Sequence, residues 1–339
     1  MVFFKTLFKS RTFYLCLVIF LLGGGLGFFV SNYQNNNQSN QALNIQSDSE
    51  FHVGGYKFIN PLLECRNAEY QGVKEYGELE NRLTQFIQDK KSSGELIQGS
   101  IYFRDLNNGP WFGVNEKADF APSSLLKLPV MMAYYKIAED DPTILPKEIL
   151  FDKMPDGVIQ QQIKGNRQLE LGKKYTVEEL IERMIKNSDN VALRLLEDNI
   201  NNNLIDKVTL DLGMPTAIDS TPSDFMSVKD YSTLFRILYN ASYLSKQMSE
   251  KALKILSNTE YNGGLVDSTS TGIVVAHKFG EREDGGINQL HDCGIVYYPN
   301  HPYLLCVMTK GKSLSNLPSV IQSISDQVFG EVDRRYKSR

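Results

Sequence analysis

The chain has no Cys-x-x-Cys pair and no His-x-x-x-His pair, so it lacks the commonest zinc-ligand spacings. Its four cysteines are Cys16, Cys65, Cys293 and Cys306. Cys16 falls inside an apolar run, and the other three make an odd number, too few for a disulfide framework. A single bridge from Cys65 to Cys293 or to Cys306 stays open, beside the favoured reading of buried free thiols. The four histidines, His52, His277, His291 and His301, stand apart from one another and read as surface or hydrogen-bonded residues. No glycine-rich phosphate loop precedes a helix and no repeat recurs at a fixed period, so neither a nucleotide cofactor nor a solenoid is expected. Basic residues are not in excess either. A net charge of -4 gives no footprint for nucleic acid. Neither a metal nor any other cofactor is expected.

What the chain does have begins with a long apolar run. Residues 13–30 are uncharged and about as long as a bilayer core requires. Lys5, Lys9 and Arg11 precede the run and nothing basic follows closely. The positive-inside bias therefore assigns residues 1–12 to the cytoplasm and everything after Val30 to the outside of a cell membrane crossed once. A cleaved signal peptide is the rival reading. The run is long for one and ends in Gly27-Phe-Phe-Val-Ser, without an Ala-x-Ala-like site, which favours an uncleaved anchor. Residues 31–55 are rich in Asn, Gln and Ser and read as a disordered tether. Residues 56–339 then read as one domain, since no composition break divides them.

Within that domain, Leu79, Leu83, Phe86 and Ile87 mark one face of a helix. Leu96 to Leu106 alternates like a strand, and Asn107-Asn-Gly-Pro turns it into a second strand at Trp111. A block of helices follows. One opens at Phe120-Ala-Pro-Ser-Ser, with Ser123 as its N-cap, and another at the capping box Thr176 with Glu179. Ser227 starts a third, and Ser249 to Leu256 gives a fourth. Strands return at Gly272 to Gly280, Leu290 to Tyr298 and Tyr303 to Thr309, and a helix over Leu317 to Tyr336 closes the chain. Strands split by a helical block predict an α/β chain of the α+β kind: an antiparallel sheet flanked by helices, with an inserted all-helical subdomain.

Three short runs carry chemistry. Ser124 and Lys127 stand three apart, so a helix puts them on one face. A serine hydroxyl is a weak nucleophile until a base takes its proton, and a lysine whose charge is disfavoured can be that base. Ser188-Asp-Asn190 occupies a short polar loop between two buried helices. Lys278-Phe-Gly280 ends an apolar strand. Taken singly, these read as a capped core helix, a helix stop with a new cap, and an edge charge. As an ordered set, each on the kind of element it needs, they point to one catalytic cleft.

The set resembles that of the penicillin-recognising serine hydrolases, the class A β-lactamases and their penicillin-binding relatives. Tyr175-Thr-Val-Glu-Glu-Leu-Ile before Ser188 and Thr221-Pro-Ser-Asp-Phe-Met-Ser before a helix resemble the family as well, and the likeness runs from about Leu96 to the C-terminus. It implies the β-lactamase/transpeptidase fold. It also implies a serine hydrolase that opens β-lactam or D-Ala-D-Ala-type amides through an acyl-serine intermediate. Carried over residue by residue, Ser124 is the nucleophile and Lys127 its activating partner. Ser188 relays a proton to the leaving nitrogen. Asn190 binds the substrate amide and places Lys127. Lys278 draws a substrate carboxylate, and Gly280 leaves room along the strand. The N–H groups of Ser124 and Glu281 form the oxyanion hole.

Two departures modify that expectation. Phe279 stands where the family carries Thr or Ser, so a hydroxyl that helps hold the carboxylate is missing. The Glu-x-x-Leu-Asn loop that positions the deacylating water is also missing between Leu212 and Ser227. Asp219 and Asp224 read there as turn or capping residues. Slow deacylation is therefore expected, which favours a cell-wall D-alanyl-D-alanine carboxypeptidase or transpeptidase over a resistance enzyme. A non-catalytic cell-wall binding homologue is the alternative. The partners implied are a β-lactam or a peptidoglycan stem peptide, and the membrane through residues 13–30.

Overall fold

The computed structural model describes residues 50–65, 75–107, 109–163, 165, 168–215, 223–266 and 272–337. The chain divides into residues 1–46, which lie outside the described ones together with the run at 13–30, and a second unit from Ser47 to Arg339. Among the described residues no helix is long and apolar enough to cross a membrane.

The second unit includes a small antiparallel pair, β1 (Glu50–His52) and β2 (Leu62–Cys65), the first of them within the stretch read as tether. The segment between the two strands is held by backbone donors. The N–H groups of Lys57, Phe58 and Ile59 all point at the Glu250 carboxylate, at 2.9 to 3.2 Å. Tyr297 donates its hydroxyl to the Phe58 carbonyl at 2.8 Å.

Helix α1 (Gly77–Ser92) buries Leu79, Leu83 and Ile87, the apolar face read from the sequence. It leads into β3 (Gln98–Asp105) and β4 (Trp111–Val114). A short strand β5 (Asp119–Phe120) and a single turn of 3₁₀ helix (Ser123–Leu126) precede α2 (Lys127–Asp140). Leu128 through Tyr135 is buried without a break, so α2 is apolar all round and runs through the core rather than along its surface.

Strands β6 (Glu148–Leu150) and β7 (Lys174–Thr176) pair and frame a long loop. The helices α3 (Val177–Lys186), α4 (Asn190–Glu197) and α5 (Asn202–Asp211) follow. The capping box at α3 forms as the spacing predicts, with Glu179 N–H to Thr176 Oγ1 at 3.1 Å and Thr176 N–H to Glu179 Oε2 at 2.7 Å. Strand β8 (Met226–Ser227) pairs with β5 and passes into α6 (Val228–Asn240) and α7 (Lys246–Leu256).

The chain then returns to the sheet through β9 (Val275–Asp284), β10 (Ile287–Val296) and β11 (Tyr303–Gly311), and ends in α8 (Leu317–Tyr336). The five strands are antiparallel in the order β4-β3-β11-β10-β9, which makes β9 an edge. Side chains alternate across it. Val275, His277 and Phe279 face the cluster formed with α1 and α8, while Ala276, Lys278 and Gly280 face the helical block. The fold is the antiparallel sheet with flanking helices that the sequence predicts.

One expectation fails here. Cys293 bonds Cys306 rather than either bonding Cys65 or staying free. Register is the reason: the β10–β11 pairing sets Cys293 directly opposite Cys306, on the face that also carries Lys278.

Candidate active site

The nucleophile turn is built before it is charged. Ser123 is not the N-cap expected of it: no side-chain cap bond forms, and its φ of 50° lies in the left-handed region. A non-glycine residue pays roughly 1–2 kcal/mol to sit there, and such strain persists only where the surroundings over-determine it. They do so on both sides. Leu125 N–H bonds the Pro122 carbonyl at 3.0 Å. Ala121 receives Gln289 Oε1 on its N–H at 3.1 Å and His291 Nε2 on its carbonyl at 3.0 Å. A carbonyl only accepts, so Nε2 carries the imidazole proton. Burial pushes His291 down to about 4, which leaves it a neutral donor near pH 7.

Gln289 in turn donates to Asp224 Oδ1 at 2.8 Å, and Lys310 pairs with the other carboxylate oxygen. Burial opposes the Asp224 charge, yet the bonds from Lys310 and Gln289 prevail and hold its carboxyl below the usual range. Asp224 is thus a support of the turn. Asp219 lies outside the described residues.

Four polar atoms then stand in a row. Lys127 Nζ is 3.0 Å from Ser124 Oγ and 3.0 Å from Ser188 Oγ, and Lys278 Nζ is 2.9 Å from Ser188 Oγ. Lys127 also meets two obligate acceptors, the Ser188 carbonyl and Asn190 Oδ1, the latter at 2.6 Å. Burial pushes the Lys127 amine down to about 7, against the opposing pull of Asp189, Glu281 and Glu197. A neutral amine has two N–H groups and one lone pair. With the two N–H groups taken by carbonyl oxygens, the lone pair is left facing the hydroxyls. Lys278 is fully buried, and its pKa falls well below the ordinary lysine value, first through burial and then through Lys127. Two charged amines do not coexist around one serine oxygen.

The loop between α3 and α4 supplies the middle of the row. Ser188 has a φ of 56°, which turns both its carbonyl and its hydroxyl toward Lys127. Asp189 caps α4 by accepting from Val191 N–H at 2.7 Å and Ala192 N–H at 3.1 Å. Its part is to fix the loop, while Asn190 points inward.

Strand β9 closes the other side. Gly280 lies so near the nucleophile turn that a Cβ there would sit 3.0 Å from the Pro122 carbonyl and 3.2 Å from Leu125 N. Lys278 Nζ also donates to the Phe279 carbonyl at 2.8 Å, and the Phe279 ring centroid lies 4.3 Å from that amine. Tyr261 packs on the outer side of the ring at 4.3 Å between centroids. All seven site residues read from the sequence are therefore accounted for. Ser124, Lys127, Ser188, Asn190 and Lys278 meet directly, Gly280 abuts the nucleophile turn, and Glu281 follows it along the strand.

What the motifs do not announce is a strap over this cleft, drawn from the loop between β6 and β7. Asn190 Nδ2 donates to the Ile159 carbonyl at 2.7 Å, and Gln161 Nε2 to the Ser188 carbonyl at 2.5 Å. The N–H groups of Gln162 and Ile163 both donate to Glu281 Oε1, at 2.8 Å each. Beside the strap lies a cavity of about 310 Å³ lined by Ile163, Gly165, Lys186, Asn187, Glu260, Tyr261, Asn262 and Phe279. Among the described residues no cluster of His, Cys, Asp and Glu could hold a metal ion.

A half-buried serine whose hydroxyl meets a buried lysine of lowered pKa, continued by a second hydroxyl and a second amine, defines a serine acyl-transfer site of the Ser-x-x-Lys kind. The model of the Beta-lactamase enzyme family matches residues 78–332, and the chain belongs to that family. It is a serine hydrolase acting on amide bonds, among the penicillin-recognising enzymes. Solved structures share the fold. PBP-A does so at 21% identity, over 76% of this chain and 96% of that one, with a TM-score of 0.63. A beta-lactamase from Chitinophaga pinensis is 19% identical over 74% of this chain and 100% of that one, at 0.65. The TLA-1 extended-spectrum beta-lactamase is 17% identical over 76% and 99%, at 0.64. No curated protein matches the chain.

Proposed function

We propose that this protein opens amides of the β-lactam or D-Ala-D-Ala type by forming an ester on Ser124, and that it clears the ester slowly. The row from Ser124 through Lys127 and Ser188 to Lys278 carries this reading. In it, Ser124 Oγ attacks the carbonyl carbon as its proton passes to the Lys127 lone pair. Ser188 hands a proton to the departing nitrogen, so the C–N bond breaks as a neutral amine leaves. Asn190 keeps Lys127 aimed and meets the substrate amide. The N–H groups of Ser124 and Glu281 hold the developing oxyanion, each worth roughly 3 kcal/mol of barrier. Lys278 keeps Ser188 positioned, and Gly280 lets the strand approach.

Slow clearance rests on what surrounds the row. No glutamate stands between Leu212 and Ser227, and Asp224 is engaged by Lys310 and Gln289. A PBP-A variant has been captured as its acyl-enzyme with penicillin G, which supports β-lactams as probes here. The Cys293–Cys306 bond suits an oxidising compartment, in keeping with an anchor at 13–30 and a domain outside the cytoplasm.

Mass spectrometry of the intact protein over time with penicillin G tests the proposal. The expected result is one adduct on Ser124 that decays over many minutes and is absent from Ser124→Ala. No adduct at any concentration would leave a binding homologue, and an adduct gone within seconds would contradict slow clearance.

A further inference from the structure

The strap from Ile159 to Ile163 ties the two walls of the cleft together. At one end Asn190 Nδ2 donates to the Ile159 carbonyl at 2.7 Å, and Gln161 Nε2 donates to the Ser188 carbonyl at 2.5 Å, both where α3 passes into α4. At the other end the N–H groups of Gln162 and Ile163 donate to Glu281 Oε1, at 2.8 Å each, on the edge strand β9. The same two walls carry Ser188 and Lys278, whose side chains meet at 2.9 Å.

What the strap holds is what a substrate needs. Asn190 Oδ1 is engaged by Lys127 at 2.6 Å, so Nδ2 is the part of its amide left for a substrate carbonyl. One of the two N–H groups on Nδ2 is spent on Ile159. The Ile159 carbonyl thus stands in for the carbonyl of a bound amide, and beyond it the chain bridges to the strand edge beside which the acyl group would lie.

The hold is polar and shallow. None of the residues from Val158 to Ile163 is buried, and Ile159 is 77% exposed. A segment with little apolar burial opens at low cost once its hydrogen bonds yield. Gly157 precedes it at a φ of 70°, a left-handed conformation natural to glycine, and offers a hinge. The firmest hold is at Glu281, because bonds to a carboxylate are about twice as strong as those between neutral groups.

We propose that the strap Ile159–Ile163 is an autoinhibitory gate, latched by the Glu281 side chain, that lifts from Asn190 before a substrate amide settles against Ser124. The inference rests on Ser124 acylation as proposed above. The Glu281 carboxylate is the latch, while the backbone N–H of the same residue keeps its place in the oxyanion hole.

Two measurements test the gate. The first compares penicillin G acylation of the wild type, Gln161→Ala and Glu281→Ala. Neither side chain belongs to the row from Ser124 to Lys278, and each substitution removes one hold on the strap. Each should raise the second-order acylation rate about tenfold, which corresponds to about 1.4 kcal/mol, the scale of one hydrogen bond. The second follows hydrogen exchange at the Gln162 and Ile163 amides. Both should be protected in the free wild type and exchange at least about tenfold faster once Ser124 is acylated. Unchanged or lower rates in both variants overturn the gate, and so do amides that stay protected in the acyl-enzyme, since the strap would then be a fixed wall. If none of the three proteins is acylated, the proposed function itself falls and the gate with it.

Discussion

A lysine amine held by two carbonyl oxygens has one direction left for its lone pair, and at Lys127 that direction is toward the serine hydroxyls. The pH dependence follows. Burial holds the amine near pH 7. Below that value it carries a third proton and accepts none, so the acylation rate should be low. It should rise through about pH 7 and level off above. Penicillin labelling rates across pH 5 to 9 read this directly, and Lys127→Ala should lower the plateau by at least about a hundredfold. A flat profile would remove Lys127 as the base. At this scale the sequence was informative where one helix turn sets the geometry, as with Ser124 and Lys127. It misled at Ser123, because a left-handed serine leaves no mark on its neighbours and is imposed by Gln289 and His291 from a distant strand.

Among the elements, β9 meets the nucleophile turn closely at Gly280. A methyl group on residue 280 would press on the Leu125 side chain and the Pro122 carbonyl at 3.0 Å and on Leu125 N at 3.2 Å, so its neighbours must give by a few tenths of an ångström. Gly280→Ala should therefore push the strand and turn apart. Misplacement of a catalytic group by about 1 Å can cost on the order of a hundredfold in rate. The measurement is the acylation rate beside a thermal melt: a large fall in rate with a melt lowered by only a few degrees is expected, and an unaltered rate would show that the contact does not matter. The order of helices and strands was legible because each long element carries its own period and caps, such as the box at Thr176. The strap was not. Its hold is two backbone N–H groups on one carboxylate, and every residue but proline supplies that donor. The disulfide was hidden for a related reason, since only the register of β10 against β11 makes Cys293 and Cys306 opposite.

Taken whole, the second unit is a sheet with an apolar cluster on each face, and the cleft opens where the helical cluster meets the edge strand. This unit carries no helix able to cross a membrane among its described residues, and the proposed anchor is the apolar run at 13–30. Proteinase added to intact spheroplasts should then degrade the enzyme body while sparing a tag placed before Phe13. A body that resists digestion until the cells are lysed would reverse the assigned orientation.

Lys278 is wholly enclosed, with Ser188 on one side and the Phe279 ring over it. The chain of exchangeable hydrogens is thus a cul-de-sac with no outlet to bulk water beyond its far end. A hydrogen ion surrendered by Ser124 cannot drain away through the protein. It passes instead to the nitrogen whose bond is cut, and so the enzyme regains its starting charge each time a bond is cut.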